Sequence, residues 1–161
     1  MRSGQYVRLG SLGRWEAVPL AAPLTDAVEA QRIKRPWAPV HVPGHWQLED
    51  AFAAYEGLVL YRCRFAYGGS AGDAMYSLRF GGVYYSARVW LNGACLGGHE
   101  GYFSPFEFDV TGVLIEGENE LLVEVHSPEE PDENDRRTVG GSGLAGMVWP
   151  RTSTPVESSG R

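Results

Sequence analysis

Carboxylates are the groups in this chain best placed to do chemistry. Glu49-Asp50, Glu100, Glu107, Asp109, Glu118 and Glu120 are spread along its middle. Two carboxylates about 5–10 Å apart across one bond hydrolyse glycosides, one as acid and the other as nucleophile or base. A second set would bind sugars rather than cut them. Carbohydrate sites in β-sandwiches combine an aromatic face with planar polar groups on loops. Trp46, Trp90, Tyr102 and Phe103 are the aromatic candidates, and His45, Asn92, His99, Glu100 and Arg151 the polar ones. The run His99-Glu100-Gly101-Tyr102-Phe103-Ser104-Pro105 places an aromatic pair beside a His and a Glu. From these sets the expected carbohydrate-contacting residues are Trp90, Asn92, His99, Glu100, Tyr102, Phe103 and Arg151. Trp90 lies between Val89 and Leu91 and alternates with Arg88 and Asn92, so it either faces outward or packs in the core. Trp46 follows a Pro-Gly pair and reads as a hydrophobic anchor.

Other chemistries find less support. Calcium takes six to eight oxygen ligands. Glu107 and Asp109 share one strand face, but nothing adjacent in sequence supplies the rest, so solvated or capping carboxylates are the expected reading and no cofactor is expected. Cys63 and Cys95 fall in separate apolar runs and read as two small buried residues. Two thiols without a histidine pair do not make a structural zinc site. No Ser-His-Asp order stands out, and neither Gly81-Gly82 nor Gly97-Gly98 leads into a helical pattern as a phosphate loop would. The formal net charge is -6. Nucleic-acid binding draws most of its affinity from basic stripes, and the short Arg32, Lys34, Arg35 cluster reads as a solvated loop.

The elements that must position these groups are strands. Tyr76, Leu78 and Phe80 alternate, as do Ala87, Val89 and Leu91, which run straight into Asn92-Gly93, a strong hairpin signal. Phe106, Phe108 and Val110 alternate again, and 119–125 is an apolar run. Gly57 to Tyr67 reads as a strong strand, Arg14 to Pro19 as an edge strand ended by its proline, and Trp37 to Val42 as an irregular edge strand broken by Pro39. Thr25 to Ala30 reads as one helical turn with Thr25 as N-cap. The segment 68–73 is a turn. The 21 glycines and 10 prolines sit between apolar runs, as turns do in a sandwich. At 161 residues the chain holds one domain with a real core. Residues 1–13 read as a loose lead-in, 126–146 as an acidic then Gly-rich loop, and 153–161 as a disordered tail. No stretch approaches the ~20 apolar residues of a membrane span, and residues 1–20 lack an apolar leader core, which predicts a cytoplasmic protein.

The order and wording of these pieces resemble a known family. Val42-Pro43-Gly44-His45-Trp46, Tyr55-Glu56-Gly57 leading into Tyr61-Arg62-Cys63-Arg64-Phe65, Phe80-Gly81-Gly82-Val83, Val89-Trp90-Leu91-Asn92-Gly93 and Gly97 to Asp109 follow one another between Trp37 and Arg151. Together they are similar to the N-terminal jelly-roll domain of family 2 glycoside hydrolases, the group of β-galactosidases, β-glucuronidases and β-mannosidases. The resemblance implies an all-β, galactose-binding-like sandwich of about eight antiparallel strands. It also implies a non-catalytic accessory role, since the family's catalytic (β/α) barrel needs ~200 residues of its own and is missing here. Asn119-Glu120 matches the family's acid/base dipeptide in letters only, because it precedes Leu121-Leu122-Val123 in an ordinary strand.

The resemblance further implies that loops 49–56 and the segment before Trp149 reach the barrel's active site. The Asp that the family places just before that Trp is absent, with Met147 and Val148 in its neighbourhood. Thr154-Pro155 stands where the family's closing strand begins. A bare sheet edge is therefore expected, and with it a tendency to form homodimers. Expected partners are a carbohydrate, bound weakly or only with the catalytic domain, and the barrel itself. The alternatives are a free-standing, weak carbohydrate-binding module and a structural domain without ligand, since fold does not choose among them.

Overall fold

A computed structural model describes residues 13–42, 44, 46, 49–52, 55, 57–68, 75–83, 85–101 and 104–127, together with the backbone of two further strands, Gln5–Tyr6 and Val148–Ser153. In chain order the elements are β1 (Gln5–Tyr6), β2 (Arg14–Leu20), helix α1 (Ala27–Gln31), β3 (Ala38–Pro39), β4 (Gly57–Tyr67), β5 (Met75–Phe80), β6 (Ser86–Leu91), β7 (Ala94–Glu100), β8 (Phe106–Asp109), β9 (Gly117–Ser127) and β10 (Val148–Ser153). All strand pairs among the described residues are antiparallel. Six strands form one sheet in the order β3-β2-β4-β9-β6-β7, and four form a second in the order β1-β10-β5-β8. Eight strands are four residues or longer, as the resemblance to a jelly-roll sandwich implied.

Side-chain period two decides which residues meet. Trp15 and Ala17 of β2, Val59, Tyr61, Cys63 and Phe65 of β4, Ala87, Val89 and Leu91 of β6, and Leu121, Val123 and Val125 of β9 share a core with Tyr76, Leu78 and Phe80 of the second sheet. The opposite face of the larger sheet carries its own apolar cluster. There Val18, Leu20, Leu60, Trp90 and Leu122 pack under Leu24, Ala27 and Ala30, the buried side of α1 and its approach. Trp90 thus resolves both alternatives at once: it points away from the sandwich interior and is still only 3% exposed.

Several local expectations are corrected. Pro19 does not end β2. It stays in the ladder opposite Val59, because β3 covers β2 only at Glu16 and Ala17, leaving that side free at the proline, where no donor is needed. The helix N-cap is Asp26, not Thr25. Asp26 is extended (φ -151°, ψ 172°) and its carboxylate accepts from the Glu29 amide at 3.0 Å. Thr25 instead donates its hydroxyl and its amide to the Glu29 carboxylate. Cys95 is exposed rather than buried. Val89 faces Gly97 and Trp90 faces Cys95, so β7 carries one extra residue, a bulge that leaves Cys95 on the outer edge. β9 continues through Ser127, into the segment expected as loop, and β1 forms within the expected lead-in. Val148–Ser153, expected only as a short apolar patch followed by turn-like residues, is itself a strand that pairs along β5 on one side and β1 on the other. Residues 69–73 of the expected turn, 128–146 of the expected loop and 154–161 of the expected tail lie outside the described residues.

The Asn92-Gly93 hairpin has the geometry its sequence demands, with φ of 50° and 84°, both positive as in a type I′ turn. Asn92 also reaches beyond the turn. Its Nδ2 donates to Asn119 Oδ1 at 2.7 Å and to the Val113 carbonyl at 2.9 Å, and its Oδ1 accepts from the Glu120 amide. Asn119 is 2% exposed. It accepts from the Ile115 amide and donates to the carbonyls of Ile115 and Gly117. Two side-chain amides therefore satisfy the backbone of the 113–117 turn and lock it to the hairpin.

Two outcomes test this packing. Replacing Asn119 with Ala leaves partly buried backbone groups of the turn without their partner, at a cost of ~1–3 kcal/mol in all; a loss of about 2 kcal/mol is expected in urea unfolding, and a loss below ~0.5 kcal/mol contradicts the role. The Cys63 thiol is pushed up to about 12 by burial, so native protein is expected to react with Ellman's reagent at Cys95 alone, and unfolded protein at both cysteines.

Candidate functional site

A groove lies on the outer face of the six-stranded sheet, beside α1. It is open to solvent and has a volume of about 480 Å³. Strand register builds it. Leu58 of β4 pairs with His126 of β9, His126 with Ser86 of β6, and Ser86 with Glu100 of β7. Directly opposed residues share a face, so these four side chains form one row across four strands. The next row holds Glu124, Arg88 and Gly98. Gly98 has no side chain, which lowers the wall opposite Arg88. Pro23 closes the side toward α1.

At the base of the groove Arg88 and Glu124 form a clamp. Arg88 Nε and Nη2 donate to Glu124 Oε1 at 2.9 and 2.8 Å. Glu124 Oε2 accepts from the Leu24 amide at 2.6 Å, and Arg88 Nη2 also donates to the Leu24 carbonyl. The Glu124 side chain is 5% exposed and that of Arg88 is 40% exposed. A buried carboxylate is tolerated because each oxygen has a donor and its charge has a partner. The guanidinium lies 5.0 Å from the Trp90 ring centroid, within cation–π range. The clamp therefore ties the approach to α1 down onto the sheet.

The sequence-derived candidates scatter over this frame. Glu100 is exposed on the groove wall. Trp90 underlies the Arg88 guanidinium and is covered by α1, so its ring offers no open face. His99 faces the other way. Its ring stacks on Phe106 (4.2 Å, 13°), which stacks on Phe80 (4.8 Å, 10°), with Phe108 edge-on to both Phe rings. Its Nδ1 is buried without a hydrogen-bond partner. The close approach of Phe108 also explains Gly97, where φ is +132° and a Cβ would lie 3.1 Å from the Phe108 ring. Asn92 sits at the far end of β6, its side-chain amide taken up by the turn. Arg151 is on β10 of the other sheet, opposite Ser77 and Tyr6. Tyr102, Phe103 and His45 lie outside the described residues.

Among the remaining candidates Trp46, Glu49, Asp109 and Glu120 have structural roles, and Asp50, Glu107 and Glu118 are exposed. Trp46 is an anchor, 1% exposed, and donates its Nε1 to the Tyr55 carbonyl at 2.9 Å. Glu49 accepts from the His41 amide and ring, which hold its carboxyl below the usual range. Glu120 pairs with Arg64. Asp109 caps Thr111, whose hydroxyl and amide likewise lower its pKa. No group of three or more His, Cys, Asp or Glu among the described residues is arranged to hold a metal ion. No helix among them is long and apolar enough to cross a membrane.

Reasoning from sequence missed Arg88, Glu124, His126 and Ser86. Glu124 carried a signal. It interrupts the run Leu121-Leu122-Val123-Glu124-Val125, and an acid inside a strand that is apolar on both faces requires a buried cationic partner. Its partner Arg88 is adjacent only through strand pairing.

A family described as glycosyl hydrolase 2 galactose-binding domain-like matches residues 50–155. The chain belongs to that family. This galactose-binding-like domain is similar in sequence to a β-galactosidase of Priestia megaterium, 33% identical over 113 residues, 56% of this chain but 11% of that protein. It is also similar to the β-galactosidase BoGH2A of Bacteroides ovatus, 26% identical over 136 residues, 77% of this chain and 16% of that protein. In structure it resembles Bifidobacterium dentium β-glucuronidase, with a TM-score of 0.75 and 25% identity over 96% of this chain and 31% of that one. The domain thus spans a small part of the glycosidases it matches.

The His99 stack yields a prediction. His99→Phe keeps the ring and removes a buried nitrogen without a partner, a group that costs ~1–3 kcal/mol. A gain of about 1 kcal/mol in thermal or urea unfolding is expected. Destabilisation instead would mean that His99 Nδ1 has a partner in solution.

Proposed function

We propose that this chain is a non-catalytic accessory domain of a family 2 glycosidase, packing on a catalytic barrel and shaping its entrance. The observation that carries the reading is one of proportion. A domain-sized chain matches 11–16% of two β-galactosidases, which leaves their barrel-sized remainder without counterpart here. The carboxylates agree with it. Hydrolysis needs two of them disposed around one bond. The groove holds Glu124 and Glu100, and Glu124 is occupied by Arg88 and Leu24. Glu100 alone supplies neither a retaining nor an inverting pair.

Aryl β-galactoside, β-glucuronide and β-mannoside are the substrates with which to test this. The purified chain is expected to release no aryl alcohol above a protein-free control. Turnover that scales with protein, and that is lost in Glu100→Gln, would overturn the non-catalytic assignment.

A further inference from the structure

The groove over Arg88 has a chemistry of its own. Its base is charge-neutral, because Arg88 and Glu124 cancel. That base is nevertheless rich in hydrogen-bonding groups. Arg88 spends Nε and Nη2 on Glu124 and Leu24, and Nη1 has no partner among the described residues. Its two N–H bonds are donors on a side chain that is 40% exposed. Around it stand a hydroxyl (Ser86), an imidazole (His126) and a carboxylate (Glu100), all in one cross-strand row. Leu58 and Pro23 supply an apolar flank. The opening over Gly98 and a volume of about 480 Å³ fall in the range of small-ligand sites.

The geometry points to this groove as a binding site for one neutral sugar residue, with vicinal hydroxyls bridging Arg88 and Glu100. Each hydroxyl is both donor and acceptor. One accepts from Arg88 Nη1 and donates to the Glu100 carboxylate, a neighbour engages Ser86 or His126, and the C–H face of the ring lies on Leu58 and Pro23. A sugar acid is disfavoured, since Glu100 is exposed and the base carries no net positive charge to offset it. A metal ion is not the occupant, because no three-ligand group of the required residue types forms here. The glycosidase-domain reading enters at one point, the choice of a sugar among neutral polyols. The site differs from the loop at 99–105 and from the sheet-edge residues that alternation singled out.

Amide chemical shifts of the full chain, followed while methyl β-galactoside, methyl β-mannoside and, separately, glucuronate are added, test the inference. Saturable shifts at Ser86, Gly98, Glu100 and His126, with a Kd on the order of millimolar for a neutral glycoside, are the expected result. Glu100→Gln is expected to weaken binding several-fold without changing Tm. Ser86→Trp should abolish it by filling the groove, with its amide spectrum reporting whether the fold is intact. Shifts confined to residues 101–105 would overturn the groove while leaving a sugar-binding domain. No shift with any glycoside at tens of millimolar would overturn the site outright; the accessory role would still rest on the turnover assay. Glucuronate binding in the groove as tightly as the neutral glycosides would overturn the neutral-ligand assignment.

Discussion

Eleven consecutive cross-strand pairs join β4 to β9, from Gly57 opposite Ser127 to Tyr67 opposite Gly117. This ladder lies at the centre of the larger sheet, and its register decides the contents of both faces. One face receives Val59, Tyr61, Cys63 and Phe65 with Leu121, Val123 and Val125. The other receives Leu58, Leu60, Arg62 and Arg64 with Glu120, Leu122, Glu124 and His126. A slip of β9 by one residue against β4 would turn its side chains over, burying Glu120 and Glu124 between the sheets. Neither β2, which lies against β4, nor β6, which lies against β9, has a position independent of that register.

The outer face of this sheet is organised as three zones along the strands. At one end charge pairs run across neighbouring strands, Glu16 with Arg62 and Arg64 with Glu120, and the Arg62 guanidinium lies 3.8 Å from the Trp37 ring centroid. In the middle α1 covers an apolar strip. At the other end the Arg88–Glu124 clamp holds the approach to α1 and forms the base of the groove. A short helix is not stable in isolation, so α1 depends on this strip and this clamp. The groove depends on them in turn, because Leu24 and Pro23 are positioned by the same contacts.

Much of the architecture was legible in the sequence because strand signals are local. The β4 boundaries, the Asn-Gly hairpin and the weak edge strand at Pro39 follow from alternation and from residues that require or forbid particular φ values. The candidate site was legible only in part. Glu100 falls on the groove wall as an exposed strand residue should. His99, its neighbour, turns inward because alternation sends it to the opposite face, where Phe106 and Phe80 offer a stack. Asn92 was read as a ligand contact, and its amide is instead consumed by a turn some twenty residues away, a partnership that nothing in its own neighbourhood announces.

The sequence by itself determined the fold class, the positions of the central strands, the Asn-Gly turn and the family, since each rests on short-range backbone preferences or on ordered motifs along the chain. Tertiary structure alone decided what the polar residues do. Arg88 meets Glu124, and Ser86 meets His126 and Glu100, because strands distant in the chain pair in one register. Trp90 is buried although it points out of the sandwich, because a five-residue helix settles over it. Such contacts depend on which strands become neighbours, and that is a property of the packed sheets rather than of any local run of residues.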